Sequence, residues 1–157
     1  IHGLVSEGAK KIADSNFRLD YIVAIGDGGL IPARILRTYL NAPILVITVQ
    51  TCEWGHSYCS GLPSPMPKIV QTIDAETLKD KNILIVDAVD DTRSTLGTVL
   101  NELIYTRKDK PVNQWGIFVV HNKKKPKVFE IDAQVMYVAC ENTDGNTWIE
   151  YPWDSKL

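Results

Sequence analysis

Five short apolar runs punctuate this chain: 21–25 (YIVAI), 44–49 (ILVITV), 82–86 (NILIV), 115–120 (WGIFVV) and 135–139 (VMYVA). Each is apolar at odd and even positions alike. That pattern suits a strand covered on both faces, as in a parallel sheet, and not a strand with one wet side. Helical patterns fill the spaces between them. Leu4, Val5, Ala9, Ile12 and Ala13 share one helical face; Ile31, Ile35, Leu36, Tyr39 and Leu40 share another, with Pro32 at the helix start. A third helix begins near Ser94 and carries Leu96, Val99, Leu100, Leu103 and Ile104 on its apolar face. Alternation of this kind implies an α/β fold: a doubly wound, mostly parallel five-stranded sheet with right-handed crossovers and helices on both faces. Ligands of such sheets bind at the carboxyl ends of the strands.

Composition narrows the function classes. The 157 residues suit one domain, and 17 basic against 19 acidic residues leave a net charge of −2. No strong field draws such a chain to nucleic acid or to an anionic membrane. No apolar run approaches the roughly 20 residues of a membrane span. Cys52, Cys59 and Cys140 are odd in number and lack C-x-x-C spacing, so neither a disulfide framework nor a zinc site is indicated, and a reduced, cytoplasmic setting fits. Opening on Ile1 without a methionine, the chain reads as trimmed at its ends.

The unusual residues all follow strand ends. GDGG (26–29) follows the first run; a long Gly- and Pro-rich loop, 50–72, follows the second; DAVDDTRST (87–95) follows the third; HNKKKPK (121–127) follows the fourth. The sharpest of these is 87–95. Asp87 emerges at the strand end, Asp90 and Asp91 lie on the turn, and Thr92, Ser94 and Thr95 follow as a helix begins. Backbone N–H groups at a helix start, with hydroxyls beside them, form a cradle for a phosphate dianion. Carboxylates beside a phosphate are repulsive unless they bind something else, such as ribose hydroxyls, Mg²⁺ or a substrate proton. Helix capping accounts for one Asp and one Thr, not for three carboxylates and three hydroxyls in nine residues. GDGGLI itself is neither G-x-G-x-x-G nor a Walker A loop.

Residues 83–95 resemble the phosphoribosyl-pyrophosphate signature of the type I phosphoribosyltransferases. IVAIGDGGLIPARILRTYL, NILIVDAVDDTRSTL, WGIFVVHNKKKPK and NTWIEYPWD resemble, in the same order, segments of the fungal 6-oxopurine enzymes that use hypoxanthine, guanine or xanthine. The resemblance implies a purine-salvage enzyme. Such an enzyme moves 5-phosphoribosyl from its 1-pyrophosphate to purine N9 with Mg²⁺ and releases pyrophosphate. It implies that Asp91, Thr92, Arg93, Ser94 and Thr95 hold the 5′-phosphate, and that Asp91 serves as the proton-transfer group near purine N7. Asp87 would face the ribose, directly or through the metal. Gly26, Asp27, Gly28 and Gly29 would form the pyrophosphate loop, with a cis bond between Gly26 and Asp27, although the same residues also suit a tight strand-to-helix turn. Arg34 or Arg37 could lie near the anion or simply charge the helix surface.

By the same resemblance Lys123 donates to the purine 6-oxo group, though it also belongs to a lysine run that suits a solvated surface. Trp148 stacks on the base, Ile149 offers its carbonyl to the 2-position edge, and Asp154 lies near a second metal or the pyrophosphate. Trp148, Tyr151 and Trp153 equally suit a small apolar cluster. The resemblance divides the chain into a core, 1–140, and a hood, 141–157, with 50–72 as a lid bearing Ser57 and Tyr58. It implies a homo-oligomer. One departure stands out: Ala88 occupies a position that is acidic in the family. Losing that acceptor removes on the order of 1.5–3 kcal/mol of charged hydrogen bonding. This favours a rival reading, a relative that binds nucleotide without turnover.

Overall fold

The computed structural model describes residues 1–51 and 67–155. Helix α1 (His2–Ala13) precedes strand β1 (Tyr21–Gly26), and α2 (Leu30–Leu40) leads into β2 (Ile44–Gln50). Then come β3 (Lys68–Gln71), a single turn α3 (Ala75–Leu78) and β4 (Asn82–Asp90). Helix α4 (Ser94–Leu100) runs on as a π-helical turn, Asn101–Tyr105, before β5 (Gln114–Lys124) and β6 (Met136–Asp144). The strands form one sheet in the order β3-β2-β1-β4-β5-β6. Every neighbouring pair is parallel except β2 with β3.

The doubly wound α/β architecture expected from the alternating runs is present, with six strands in place of five. The extra strand, β3, lies within what reads as a loop. It has only two apolar residues, and it is a short antiparallel edge strand, so no buried pattern announces it. Three strands also run past their apolar stretches. β4 continues to Asp90 because its polar end still pairs with β5, Asp87 opposite Val119 and Asp90 opposite Asn122. β5 carries His121 to Lys124 within the strand, and β6 extends to Asp144, beyond the 140/141 division between core and hood.

Because side chains alternate along each strand, the sheet has two apolar faces. Ile22, Ala24, Leu84, Val86, Phe118 and Val120 pack beneath Val5, Ala9 and Ile12 of α1, Leu36 of α2, and Tyr151. Val23, Ile25, Ile83, Ile85, Ile117 and Val119 pack beneath Leu96, Val99 and Leu100 of α4 and Leu103. Each fully buried Val, Leu, Ile or Phe among them contributes ~1.5–3 kcal/mol. Helix α2 corrects one expectation. Ile31 and Tyr39 are 40% and 44% exposed, while Pro32, Ala33 and Leu36 are the buried residues. Residues four apart form a ridge along a helix, and 31–35–39 is the ridge next to the one that faces the sheet.

The strand order reverses between β1 and β4: the chain leaves β1 for β2 on one side, and β4 pairs on the other. A crevice opens at such a switch point, outside the carboxyl ends of the two strands. GDGG leaves β1 there, and residues 87–95 leave β4 beside it.

Candidate functional site

GDGG comes close to β4 because it has almost no side chains. A methyl group on Gly29 would sit 2.1 Å from the Val86 carbonyl oxygen and 2.8 Å from that of Ile25. One on Gly28 would lie 3.1 Å from Asp87 Oδ1. The Gly26–Asp27 peptide is cis, as the family resemblance implies. Asp27 is exposed at the loop tip.

Asp87 is 9% exposed, with its Oδ1 accepting the Ala88 N–H at 2.7 Å. Burial raises its pKa to about 7, and nearby Asp90 adds to the rise, against that one hydrogen bond. The group is therefore ready to accept a counter-charge or a hydrogen bond. Residues 87 and 89–96 line a cavity of ≈ 180 Å³. Thus Asp87, Asp91, Thr92, Arg93, Ser94 and Thr95, named from the sequence, share one concavity.

Asp91 stands at its rim, its side chain 43% exposed, with Lys123 Nζ 3.5 Å from Oδ2 and Lys125 paired to Oδ1. Lys123 itself is only 11% exposed at the side chain, so the end of the lysine run is not a solvated surface. Arg34 donates to Thr38 one turn along its own helix at 3.1 Å and forms no described contact with the loops.

Several residues that carry the geometry were not assigned roles from the sequence. Asp90 is 1% exposed. Its Oδ2 accepts Nε and Nη2 of Arg93 at 3.0 and 2.8 Å and the Tyr137 hydroxyl at 2.7 Å. Lys127 Nζ lies 3.4 Å from Oδ1. The guanidinium of Arg93 is thereby committed to Asp90 and lies 5.3 Å from the centre of the Tyr137 ring. What Arg93 brings to the cavity is its backbone, held at φ 69°. That left-handed conformation costs a non-glycine residue ~1–2 kcal/mol. Two hydrogen bonds to a buried carboxylate, at ~1.5–3 kcal/mol each, outweigh it. Lys127 donates to the carbonyls of Asp90, Asp91 and Lys123 at 2.8, 2.7 and 2.9 Å, and burial lowers its pKa. The only sequence signals were a third carboxylate beyond what a helix cap needs and a lysine after Pro126.

The C-terminal segment stands over the β4–β5 end of the sheet. Tyr151 is 4% exposed; its hydroxyl donates to the Ala88 carbonyl at 3.0 Å and lies 2.8 Å from Nδ1 of buried His121. Burial lowers the His121 pKa, against the pull of Glu141 3.4 Å from its Nε2. Tyr151 stacks on Trp153, centroids 4.5 Å apart and 4° from coplanar. Two of the three tail aromatics thus form the apolar cluster, while Trp148 is 69% exposed. Trp148, Ile149, Glu150 and Asp154 line a second cavity of ≈ 310 Å³. The two cavities share no lining residue, Asp87 belonging to the first and Asp154 to the second. Among the described residues no group of three His, Cys, Asp or Glu could hold a metal ion. Ala88 is 3% exposed beneath Tyr151. Ser57 and Tyr58 lie outside the described residues.

No family model matches the chain. Hypoxanthine-guanine phosphoribosyltransferase of Schizosaccharomyces pombe is 40% identical over 183 residues, covering 99% of this chain and 86% of the relative. Xanthine phosphoribosyltransferase 1 of Saccharomyces cerevisiae is 35% identical, covering 99% and 87%. Among solved structures, a hypothetical protein from Neisseria gonorrhoeae with bound ppGpp superposes with a TM-score of 0.82 at 35% identity, covering 98% of this chain and 84% of that one. The purine phosphoribosyltransferase of Pyrococcus horikoshii gives 0.72 at 29% identity, covering 99% and 89%.

Proposed function

This chain belongs to the purine phosphoribosyltransferase family, and on that premise we propose that it transfers 5-phosphoribosyl from its 1-pyrophosphate to N9 of hypoxanthine, guanine or xanthine. The observation that carries the reading is the cavity bounded by residues 87 and 89–96, whose rim carboxylate, Asp91, pairs with Lys123 and Lys125. Thr92, Ser94 and Thr95 hydroxyls and the backbone N–H groups of 91–95 hold the 5′-phosphate. The GDGG loop, close against Asp87, offers its backbone to the pyrophosphate. Asp87 accepts from the ribose hydroxyls.

Lys123 turns from Asp91 to the 6-oxo oxygen when a base enters, which favours a 6-oxo over a 6-amino ring. The N9–C1′ bond forms as the bond from C1′ to the pyrophosphate oxygen breaks, and the displaced purine proton passes to Asp91. The indole of Trp148 covers the base, a contact worth ~1–3 kcal/mol in comparable stacking. The carbonyl of Ile149 meets the 2-position edge.

The donor set suits Mg²⁺ of the kind held mainly by substrate phosphates and one or two carboxylates. Among the described residues Asp87 is the buried carboxylate with no cationic side chain paired to it, which such an ion would satisfy, and Asp154 could serve a second ion from the hood side. The metal supplies neutralisation of the leaving pyrophosphate. No described helix is long and apolar enough to cross a membrane; a cytoplasmic enzyme fits the chemistry. The exposed Leu30, Ile31 and Tyr39 on α2 support a homo-oligomer.

Ala88 keeps a second reading in view: a protein that binds purine nucleotide without turning it over. Incubating the protein with the donor, Mg²⁺ and each of the three bases separates the two. Release of pyrophosphate with formation of the nucleoside monophosphate establishes the transferase; tight nucleotide binding without release establishes the binding protein.

A further inference from the structure

All four carbonyls of the loop 90–93 are hydrogen-bonded to residues that do not line the cavity or to the helix that follows. Lys127 Nζ takes those of Asp90 and Asp91 at 2.8 and 2.7 Å. The Val128 N–H takes that of Thr92 at 3.0 Å, and the Gly97 N–H takes that of Arg93 at 2.8 Å. In a trans peptide the N–H points opposite to the carbonyl of the preceding residue. Fixing these four carbonyls therefore fixes the direction of the N–H groups of residues 91–94. The turn can have this form only if Arg93 stays left-handed, at φ 69°. Glycine takes that conformation without strain, but arginine does not. Here the side chain of Arg93 is tied back by two bonds to Asp90, itself 1% exposed and held from β6 by the Tyr137 hydroxyl at 2.7 Å.

We propose that Asp90 is a positioning residue for the 5′-phosphate. Acting through Arg93, it holds that residue in the left-handed conformation and so turns the loop's backbone donors toward the ligand. The guanidinium of Arg93 does not itself touch the phosphate; it is the handle by which a buried carboxylate shapes the turn. This deepens the reading of residues 91–95 as the phosphate site and rests on it.

Replacing Arg93 with Gly and, separately, with Ala tests the proposal, because both delete the guanidinium and only glycine accepts the backbone conformation. The probe is guanosine 5′-monophosphate, titrated calorimetrically against guanosine as the phosphate-free control. Arg93→Gly should bind the monophosphate within about threefold of the parent, and Arg93→Ala about tenfold more weakly. Guanosine affinity should be the same in all three. Asp90→Asn should weaken monophosphate binding at least as much, and adding Arg93→Gly to it should recover most of the loss. Equal affinities for the Gly and Ala variants would overturn the proposal, whether both match the parent or both fall together, the latter meaning that the guanidinium holds the phosphate. If Asp90→Asn fails to fold, the Arg93 pair decides alone. If the parent binds guanosine and its monophosphate equally, the phosphate-site reading itself is wrong, an outcome distinct from the others.

Discussion

Asp90 and Asp91 are neighbours in sequence with opposite surroundings. Asp90 is sealed beneath the loop and answered by Arg93, Tyr137 and Lys127, whereas Asp91 stands at the rim between Lys123 and Lys125. Such a division suits one carboxylate for architecture and the other for proton transfer. Asp91→Asn, nearly isosteric, should cut turnover on the order of 100-fold, within the usual range for a general acid–base group, while nucleotide affinity changes little. Steady-state kinetics beside a binding titration reads this directly, and undiminished turnover would remove Asp91 from the chemistry.

Asp87 makes a separate prediction about pH. Its folded pKa, about 7, lies above the ordinary value of 3.8. The folded state thus holds a proton that the unfolded chain releases. With nucleotide and cation absent, the stability contributed by Asp87 is full below about pH 4 and is lost as pH rises toward 7. Asp87→Asn should abolish that slope and stabilise the protein above pH 7 by ~4 kcal/mol at most. Chemical denaturation at pH 5 and pH 8 measures it; an equal difference between variant and parent at both values would contradict the burial argument.

At the scale of elements, the C-terminal segment is joined to the strands that carry the site. The Tyr151 hydroxyl links His121 of β5 to the Ala88 carbonyl of β4, one residue from Asp87. Tyr151→Phe keeps the ring and its stack on Trp153 and deletes only the oxygen. It should lower unfolding free energy by ~1–3 kcal/mol, because a buried carbonyl and an imidazole nitrogen lose their partner. It should also raise the KM for the base more than that for the donor. Thermal unfolding together with the two KM values checks both parts, and a Tm within a degree of the parent would show the link to be dispensable.

Across the whole molecule, the proposed binding functions are spread over the ends of β1, β4 and β5 and the C-terminal segment, and the shortage of protein ligands bears on how the proposed Mg²⁺ would be held. Since no cluster of three metal-ligating side chains occurs among the described residues, the ion should be held chiefly by the donor. A chelator should therefore stop pyrophosphate release reversibly while leaving the unfolding temperature of the nucleotide-free protein unchanged. A loss of folded protein on chelation would point instead to a resident structural ion.

The apolar runs and their order were enough to specify a doubly wound α/β sheet, because burial on both faces leaves a signature that needs no knowledge of neighbours. The segment 87–95 was enough to single out the residues that share one cavity, because a helix start crowded with hydroxyls and carboxylates has a local chemistry. Edge strand β3 was invisible, since pairing along one side asks little of its side chains. Which ridge of α2 faces the sheet was equally undetermined, since adjacent ridges carry the same periodicity. Tertiary structure alone decided that Asp90 is buried, that Arg93 turns back to it, that Lys127 collects three carbonyls and that Tyr151 reaches Ala88. Apart from the Asp90–Arg93 pair, those contacts join β4 to the segment after β5 and to the C-terminal segment, and a hydrogen bond between distant positions is written in the fold that brings them together, not in the spacing of either partner along the chain.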